Sequence, residues 1–179
     1  SGSFVVADLA PKLTIVWDGL GYEESTIEMA VRIDDKISRN NYTIIWRMGD
    51  GTTKYGEKIT YTYSVAGTYL VRAYVYDGEY VAVAWWKVEI ENREPEIEII
   101  DIPKNITEGD LLKLSAKIWD TVSDMEELRY CWTIDGVRRV AGIGEYVTIY
   151  QDGIHMVELL VVDDNGATAM ETIWILTEN

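Results

Sequence analysis

The sequence predicts an all-β protein built from two β-sandwich domains in tandem. Apolar and polar residues alternate in short runs, such as residues 27–33 and residues 112–118, and this period of two is typical of strands with one buried face. Asp-Gly and Asn-Gly pairs, which favour the tight turns of hairpins, lie between the runs. Since no stretch has the spacing of an amphipathic helix, a sandwich of short antiparallel strands is the expected architecture.

An internal repeat predicts that this fold occurs twice. Residues 42–80 align with residues 128–167, so that Trp46 corresponds to Trp132, and the spacing of apolar residues, glycines and aspartates is retained between the two segments. Self-similarity at a fixed spacing is the sequence signature of repeated structural units. The chain is long enough for two small domains, each with its own core.

The repeat also sets the expected domain boundaries. The first domain is predicted over residues 7–92 and the second over residues 93–179. Residues 1–6 precede the first copy and are interpreted as an N-terminal extension or a remnant of cloning.

The first copy contains a recognisable motif. It carries the run WRMGDG at residues 46–51, followed by YTYSVAGTYLVRAYVYDG at residues 61–78. This combination resembles the polycystic kidney disease (PKD) domain, whose hallmark is a Trp, a Gly-Asp-Gly turn, a Gly-x-Tyr-x-Val strand and a final Asp. The resemblance implies an immunoglobulin-like sandwich of two antiparallel sheets, a location outside cells and no catalytic activity of the domain itself.

The second copy resembles the same family less closely. It keeps Trp132, the pair Asp135-Gly136 and the final Asp163, but it has lost one residue of the Gly-Asp-Gly turn and carries His155 where the family favours Tyr. We therefore interpret it as a divergent, PKD-like copy.

The motif residues have a structural interpretation. A Trp on an inner strand is expected to fill the core of each sandwich, as in immunoglobulin-type domains. Glycines supply positive φ angles in the turn that follows, and the aspartate accepts hydrogen bonds from loop amides. The alternative, a ligand-binding loop, lacks further oxygen ligands at the spacing of a calcium loop. The motif residues are Trp46, Gly49, Asp50, Gly51, Asp77, Trp132, Asp135, Gly136 and Asp163.

Charge and composition exclude several functions. A net charge of −15 repels nucleic acids and anionic membrane surfaces. Cys131 is the only cysteine and His155 the only histidine, so a zinc site has too few of these ligands. A nucleophilic cysteine would need His155 as its partner, and Cys131 is interpreted instead as a small filler residue on a strand. The longest apolar runs are the length of strands, so direct membrane insertion is not expected. The chain is predicted not to be an enzyme.

Acidic clusters in predicted loops are the candidates for metal binding. Calcium takes about six to eight oxygen ligands, which loops at one end of a sandwich could gather. The resemblance implies the same, since some PKD-like modules hold calcium near such positions. The alternative is that these residues are solvated acidic turns. Ca²⁺ is therefore the single candidate cofactor, and its candidate ligands are Asp34, Asp35, Asp120, Asp124, Asp163 and Asp164.

The last strand of each copy is expected to point a tryptophan away from the core. Alternation on the first of these strands places Trp85 outward, with an inward face formed by Ala82, Ala84, Trp86, Val88 and Ile90. In the second copy, Trp174 points outward next to the inward-facing Ile173 and Ile175. Trp85 and Trp174 either contact a neighbouring module, another subunit or a ligand, or they are buried by a β-bulge that shifts the register.

These observations favour a non-catalytic extracellular structural or adhesive module of a cell-surface or surface-layer protein, acting as a spacer and protein-interaction unit within a longer tandem array. The alternatives are an accessory module of a secreted hydrolase, which binds polysaccharide or fibrous protein, and a self-assembling filament subunit. The expected partners are proteins or neighbouring modules, with a cell-surface glycan as a further candidate.

Two weaker patterns bear on the setting of the protein. Asn41 and Asn105 each begin an Asn-x-Thr motif for N-glycosylation, which suits an extracellular or cell-surface location. The scarcity of Gln and Cys, together with frequent charged residues, matches the composition of proteins from thermophiles.

Overall fold

The protein forms two compact units, Ser1–Glu91 and Asn92–Asn179. The residues described by the computed structural model are 12–17, 19–34, 42–140 and 142–179. Within these ranges all regular secondary structure is β-strand, which confirms the predicted all-β class. In the same parts of the chain, no helix is long and apolar enough to cross a membrane.

Two sheets form the first unit. Its strands are β1 (Lys12–Trp17), β2 (Gly21–Tyr22), β3 (Thr26–Asp34), β4 (Thr43–Arg47), β5 (Thr53–Tyr55), β6 (Lys58–Thr62), β7 (Gly67–Tyr76) and β8 (Val81–Glu91). One sheet is three-stranded in the order β1-β3-β6, and the other is five-stranded in the order β2-β8-β7-β4-β5. The pairs are antiparallel except for β2 with β8, which run parallel. The unit is therefore a β-sandwich, as the alternation of apolar residues predicts.

Trp46 lies at the centre of the core of the first unit. It is located on β4 and is fully buried among apolar side chains from both sheets, including Met29 and Val71. Its indole Nε1 donates a hydrogen bond to the carbonyl oxygen of Gly56 at 2.8 Å. Because a buried N–H without a partner would be costly, this bond allows the large indole to fill the core.

The second unit has the same two-sheet arrangement. Its strands are β9 (Glu96–Ile100), β10 (Asn105–Thr107), β11 (Leu111–Trp119), β12 (Arg129–Ile134), β13 (Val137–Val140), β14 (Glu145–Thr148), β15 (Gly153–Val162) and β16 (Thr168–Glu178). The three-stranded sheet has the order β14-β11-β9, and the five-stranded sheet has the order β10-β16-β15-β12-β13. Here too a short parallel pair, β10 with β16, closes one edge of the larger sheet.

Trp132 repeats the role of Trp46 in this second core. It lies on β12, is fully buried, and packs with Leu114, Leu159 and other apolar residues. Its Nε1 donates to the carbonyl oxygen of Gly142 at 3.0 Å, an acceptor ten residues later in the chain, as in the first unit. The two units therefore place and satisfy their central tryptophan in the same way.

The turn after β4 depends on glycine. Gly49 and Gly51 have φ angles of 94° and 97°, in the left-handed region that favours glycine. A Cβ atom at Gly49 would also lie 2.9 Å from the amide nitrogen of Leu70. In the second unit the aligned residue is Asp135, which adopts a φ of 52° without being glycine. The divergent copy thus places aspartate, a residue that tolerates the left-handed region better than most, where the first copy has glycine.

On the last strand of the first unit, the burial of one residue, Trp86, differs from the prediction. Strands β7 and β8 pair continuously, as do β15 and β16, so the register shift that would bury the outward tryptophans is absent from these pairings. Trp86 was expected to point into the core, and it does lie opposite the buried Val71, but it is 53% exposed. Strand β2 pairs with β8 at Ile90 and Glu91, so among the described residues no strand pairs with β8 beside Trp86 on that side.

Candidate functional site

The turn at Asp50 is held by the hydrogen bonds of its own aspartate. Asp50 Oδ1 accepts from the backbone N–H of Thr52 at 2.8 Å, and Oδ2 accepts from the Tyr61 hydroxyl at 2.5 Å. Partial desolvation raises the pKa of Asp50, but the hydrogen bonds from Tyr61 and Thr52 outweigh it and hold the pKa below its usual value. Both carboxylate oxygens are therefore engaged in holding the loop.

The second unit uses an ion pair near the corresponding turn. Asp135 Oδ2 lies 2.7 Å from Nδ1 of the buried His155, and Asp135 Oδ1 accepts from the backbone N–H of Met156 at 2.9 Å. Nε2 of His155 lies 2.8 Å from the carbonyl oxygen of Gln151. Since both partners of the ring are acceptors, both ring nitrogens act as donors, which requires the charged imidazolium. The bond to Asp135 raises the pKa of His155 against the opposing effect of burial.

The structure brings three of the candidate metal ligands together. Asp120 follows β11, Asp124 lies in the turn before β12, and Asp163 follows β15. One carboxylate oxygen from each of these residues lies within 4.8 Å of the other two. We call this group the aspartate cluster.

The aspartate cluster is largely withdrawn from solvent. Asp124 is 1% exposed and Asp163 is fully buried. Burial raises the pKa of Asp120, and the charges of Asp124, Asp163 and Asp164 raise it further. Asp164 is exposed, and its pKa is raised by partial desolvation and by the same two neighbouring carboxylates. Each ionised group therefore increases the cost of ionising the next.

The hydrogen bonds within the aspartate cluster are unevenly distributed. Asp163 accepts from Asn92 Nδ2 at 2.6 Å and from the backbone N–H of Ala167 at 2.8 Å. Asp120 Oδ1 accepts from the backbone N–H of Thr121 at 2.8 Å. By contrast, Asp120 Oδ2 and both carboxylate oxygens of Asp124 are buried without a hydrogen-bond partner.

The remaining candidate residues do not join the aspartate cluster. Asp34 is exposed at the end of β3, and Asp35 and Asn41 lie outside the described residues. Asp77 caps its own turn, because its Oδ1 accepts from the backbone N–H groups of Glu79 and Tyr80. Asn105 is exposed on β10, and its glycosylation stays a prediction.

Exposed and half-buried aromatic and aliphatic side chains form a row across the first unit, on the face of the five-stranded sheet that points away from the core. We call this surface the outer face. Tyr55 pairs with Ile45, Ile45 with Tyr74, and Tyr74 with Val83, so the row crosses β5, β4, β7 and β8. Trp85 adds to it from the next pair along β8 and is 67% exposed. Such a contiguous row is unusual on a surface that faces only water.

Two arginines extend the outer face. Arg72 lies opposite Trp85 on β8 and opposite Arg47 on β4, and both arginines are exposed. No acidic side chain among the described residues forms an ion pair with either of them. Like charges directly opposite each other on adjacent strands are destabilising, so this pair favours the approach of an anionic group.

The second unit exposes Trp174 on its corresponding sheet. Trp174 is 60% exposed on β16, opposite the partly exposed Met156 of β15. The aligned position of Arg72 is Glu158, which accepts a hydrogen bond from Thr133 at 3.0 Å. This sheet therefore shares an outward tryptophan with the first unit but not its arginines.

Sequence reasoning missed three of these features. The Asp135–His155 pair needs a contact across 20 residues of sequence, and the link from Asn92 to Asp163 spans 71 residues. Neither leaves a local pattern in the sequence. The row on the outer face does leave one, because Tyr74 and Val83 alternate with buried residues on strands that were already predicted.

Comparison with known proteins agrees with the class of protein that the fold defines. The two sandwiches, each built around a central tryptophan, define a tandem immunoglobulin-like protein, as predicted. Residues 16–90 match the family model of the PKD domain, which confirms the resemblance seen in the motif, so the first unit is a PKD domain. No protein with curated annotation matches the sequence.

Several solved structures are similar to this chain at low identity. The N-terminal domains of the outer capsid protein Hoc of bacteriophage RB49 are 13% identical, with a TM-score of 0.43 over 94% of this chain and 59% of theirs. The titin domains Z1Z2, solved with telethonin, are 11% identical, with a TM-score of 0.42 over 96% of this chain and all of theirs. SGBP-B of Bacteroides ovatus, solved with a mixed-linkage heptasaccharide, is 14% identical, with a TM-score of 0.35 over 98% of this chain and 47% of its own.

Proposed function

We propose that the chain is a non-catalytic extracellular module of a cell-surface or surface-layer protein, which acts as a spacer and binds other proteins through the outer face of its PKD domain. PKD domains serve in general as structural or interaction modules, and the first unit is one. The side chains best suited to catalysis are engaged in the fold. Both ring nitrogens of His155 are hydrogen-bonded, and Cys131 lies within β12 opposite Leu160.

The single observation that carries the proposal is the outer face. Its row of Tyr55, Ile45, Tyr74 and Val83, together with Trp85, places aromatic and aliphatic side chains next to one another on regular strands. Tyrosine and tryptophan dominate the binding energy of protein interfaces because they bury a large area at a low cost in conformational entropy. A rigid sheet presents them without any rearrangement on binding.

Arg47 and Arg72 indicate the charge of the partner. Their mutual repulsion is relieved when carboxylates approach, so an acidic protein surface complements this face. A neighbouring module of the same kind meets that requirement, since this chain itself carries a net charge of −15. The proposed partner is therefore an acidic module, with a second copy of this chain as the available probe.

Sedimentation velocity of the full chain, from about 10 µM to about 1 mM, tests the proposal over the range of weak module contacts. The expected result is concentration-dependent association that weakens as NaCl rises from about 0.05 M to about 0.5 M, because salt screens the arginines. The variant Trp85→Ser should abolish the association. Trp86→Ser is the matched control, since Trp86 is also exposed but lies on the opposite face of β8.

The same variants distinguish the alternative function. Affinity electrophoresis in gels that contain soluble polysaccharides tests the role of an accessory module in a hydrolase. Retention that is lost in Trp85→Ser and kept in Trp86→Ser would assign the outer face to glycan binding instead. A parent chain that stays monomeric and passes every gel unretarded would contradict an interaction role for this face.

A further inference from the structure

The loops after β11 and β15 of the second domain concentrate negative charge in a site that solvent barely reaches. Asp120, Asp124 and Asp163 place their carboxylate oxygens within 4.8 Å of one another, and two of the three residues are buried. Acidic groups on protein surfaces usually avoid such an arrangement, because burial removes the water that stabilises each charge. The aspartate cluster therefore destabilises the domain unless a bound cation or proton offsets its charge.

Asp124 gives the clearest indication of what is missing. It is 1% exposed, and both of its carboxylate oxygens are buried without a hydrogen-bond partner. A buried carboxylate is normally hydrogen-bonded, paired with a cation or bound to a metal. The nearby carboxyl of Asp164 offers no donor while it is ionised. Apart from the hydrogen bond that a protonated Asp164 would donate, the described residues supply no donor or cation to the carboxylate oxygens of Asp124.

Asn92 provides a second, non-acidic indication at the same place. Its Nδ2 donates to Asp163 at 2.6 Å, while its Oδ1 is buried and has no partner. The two ends of an amide have nearly the same shape, so a rotation of the side chain exchanges donor and oxygen. Rotated in this way, Asn92 would present a neutral oxygen ligand to a cation held by Asp163.

We propose that Asp120, Asp124 and Asp163 bind one Ca²⁺ ion in the second domain, with Asn92 as an additional ligand. The donor set consists of oxygen atoms alone, which suits hard cations such as Ca²⁺ and Mg²⁺. The ligands come from irregular loops, which suits Ca²⁺ because it accepts about six to eight oxygens in flexible geometry, whereas Mg²⁺ demands near-ideal octahedral coordination. Water molecules complete the coordination.

The first domain supplies an internal control for this site. Asp77 aligns with Asp163, yet its carboxylate caps the turn of its own loop by accepting from Glu79 and Tyr80. The only comparable group of acidic ligands in the described part of the chain is the aspartate cluster. The calcium site is independent of the proposed interaction surface, which lies on the first domain.

Isothermal titration calorimetry of the full chain, freed of metal with EDTA and then desalted, tests the proposal. The expected result is one Ca²⁺ bound per chain, with at least a tenfold preference over Mg²⁺. Amide shifts in ¹H–¹⁵N spectra should concentrate around residues 120–124 and 163–167. Saturating Ca²⁺ should also raise the unfolding midpoint of the second domain by about 5 °C or more.

The variant Asp124→Asn separates a metal ligand from a merely structural residue. It should weaken Ca²⁺ binding by at least 100-fold, and in EDTA it should unfold at the same or a higher temperature than the parent, because the amide relieves the repulsion between carboxylates. The control Asp77→Asn should bind Ca²⁺ as tightly as the parent. Because Asp124→Asn is not expected to impair folding, loss of binding cannot be attributed to a misfolded domain.

Three results would overturn the proposal. They are no binding at about 10 mM Ca²⁺, equal binding by the parent and Asp124→Asn, and equal affinity for Ca²⁺ and Mg²⁺. A lower unfolding temperature of Asp124→Asn in EDTA, together with no response of the parent to Ca²⁺, would assign the cluster to proton sharing between carboxyl groups.

Discussion

The two domains make the same hydrogen bond with different side chains. In the first domain, the hydroxyl of Tyr69 donates to the carbonyl oxygen of Val65 at 2.7 Å. In the second domain, Nε2 of His155, at the aligned position, donates to the carbonyl oxygen of Gln151 at 2.8 Å. Each acceptor lies four residues before its donor. We call this position, Tyr69 in the first domain and His155 in the second, the corner. The two copies share the geometry of its hydrogen bond and differ in the side chain that donates it.

The surroundings of the two side chains differ in charge. The Tyr69 ring stacks on Tyr63 with centroids 4.0 Å apart, and Tyr61 meets Tyr63 edge to face. Burial raises the pKa of both Tyr63 and Tyr69, so this cluster stays neutral at ordinary pH. His155 is instead paired with Asp135. The first domain is thus held at this corner by neutral aromatic contacts, and the second by an ion pair.

Truncation of the central tryptophans should have the largest effect, and the same effect in both domains. Trp46→Ala and Trp132→Ala each remove a fully buried indole, which should cost about 3–5 kcal/mol of unfolding free energy in the domain concerned. Chemical denaturation of each variant measures this loss. A cost in one domain below half of that in the other would contradict the view that the two cores are equivalent.

Replacement of the corner residues by phenylalanine should separate the domains. Tyr69→Phe removes a neutral hydrogen bond and should cost about 1 kcal/mol, whereas His155→Phe removes a charge-assisted bond and leaves Asp135 without its partner, at a cost of about 2–3 kcal/mol. Both variants keep an aromatic ring, so urea denaturation compares the bonds themselves. Equal costs would mean that the ion pair adds nothing beyond the shared hydrogen bond.

Alanine at Gly49 should destabilise the first domain by about 2 kcal/mol, because it combines positive φ with a Cβ only 2.9 Å from the Leu70 nitrogen. Gly51→Ala is the matched control. It has a similar φ but nothing within 4 Å of its Cβ, so about 1 kcal/mol is expected. Thermal unfolding of the two variants measures the difference. If both cost the same, close packing against Leu70 is not what requires glycine at position 49.

Trp85→Ser should have the smallest effect on stability, below about 0.5 kcal/mol, since the side chain is 67% exposed. The same substitution at Trp174 should behave alike, because that residue is 60% exposed. Thermal unfolding of the two variants checks both values. A loss above about 2 kcal/mol at either position would mean that the tryptophan supports the fold rather than a contact surface.

The fold was predictable because its signals are local. Alternating burial on β7 and β15 follows from a period of two in the sequence, and the repeat doubles the information for each strand. The exposure of Trp86 was not predictable. It obeys the alternation, but its exposure depends on which strand covers the edge of the sheet. Edge coverage is a property of the whole sandwich, and a single strand does not encode it.

The candidate sites were predictable only in part. Asp120, Asp124 and Asp163 stand out as acidic loop residues, but so do Asp34 and Asp164, and sequence alone gave them equal weight. Which carboxylates meet depends on how the loops lie in three dimensions. The structure brings oxygens of Asp120, Asp124 and Asp163 within 4.8 Å of one another. The role of His155 was missed for the same reason, since its partner Asp135 is distant in sequence and lies on another loop.

The measurement that most directly tests this account is urea unfolding of the full chain at pH 6 and pH 8, followed by the indole N–H signals of Trp46 and Trp132. The pKa of His155 is raised above its unfolded value of 6.5, so its contribution to stability is complete below that pH and is lost as pH rises through the folded pKa. The pKa of Asp135 is lowered, so its contribution is lost only as pH falls below about 3.8. The account predicts that the midpoint reported by Trp132 falls between pH 6 and pH 8 while that reported by Trp46 stays constant. A midpoint at Trp132 that is unchanged or higher at pH 8, or an equal fall at both tryptophans, would contradict it.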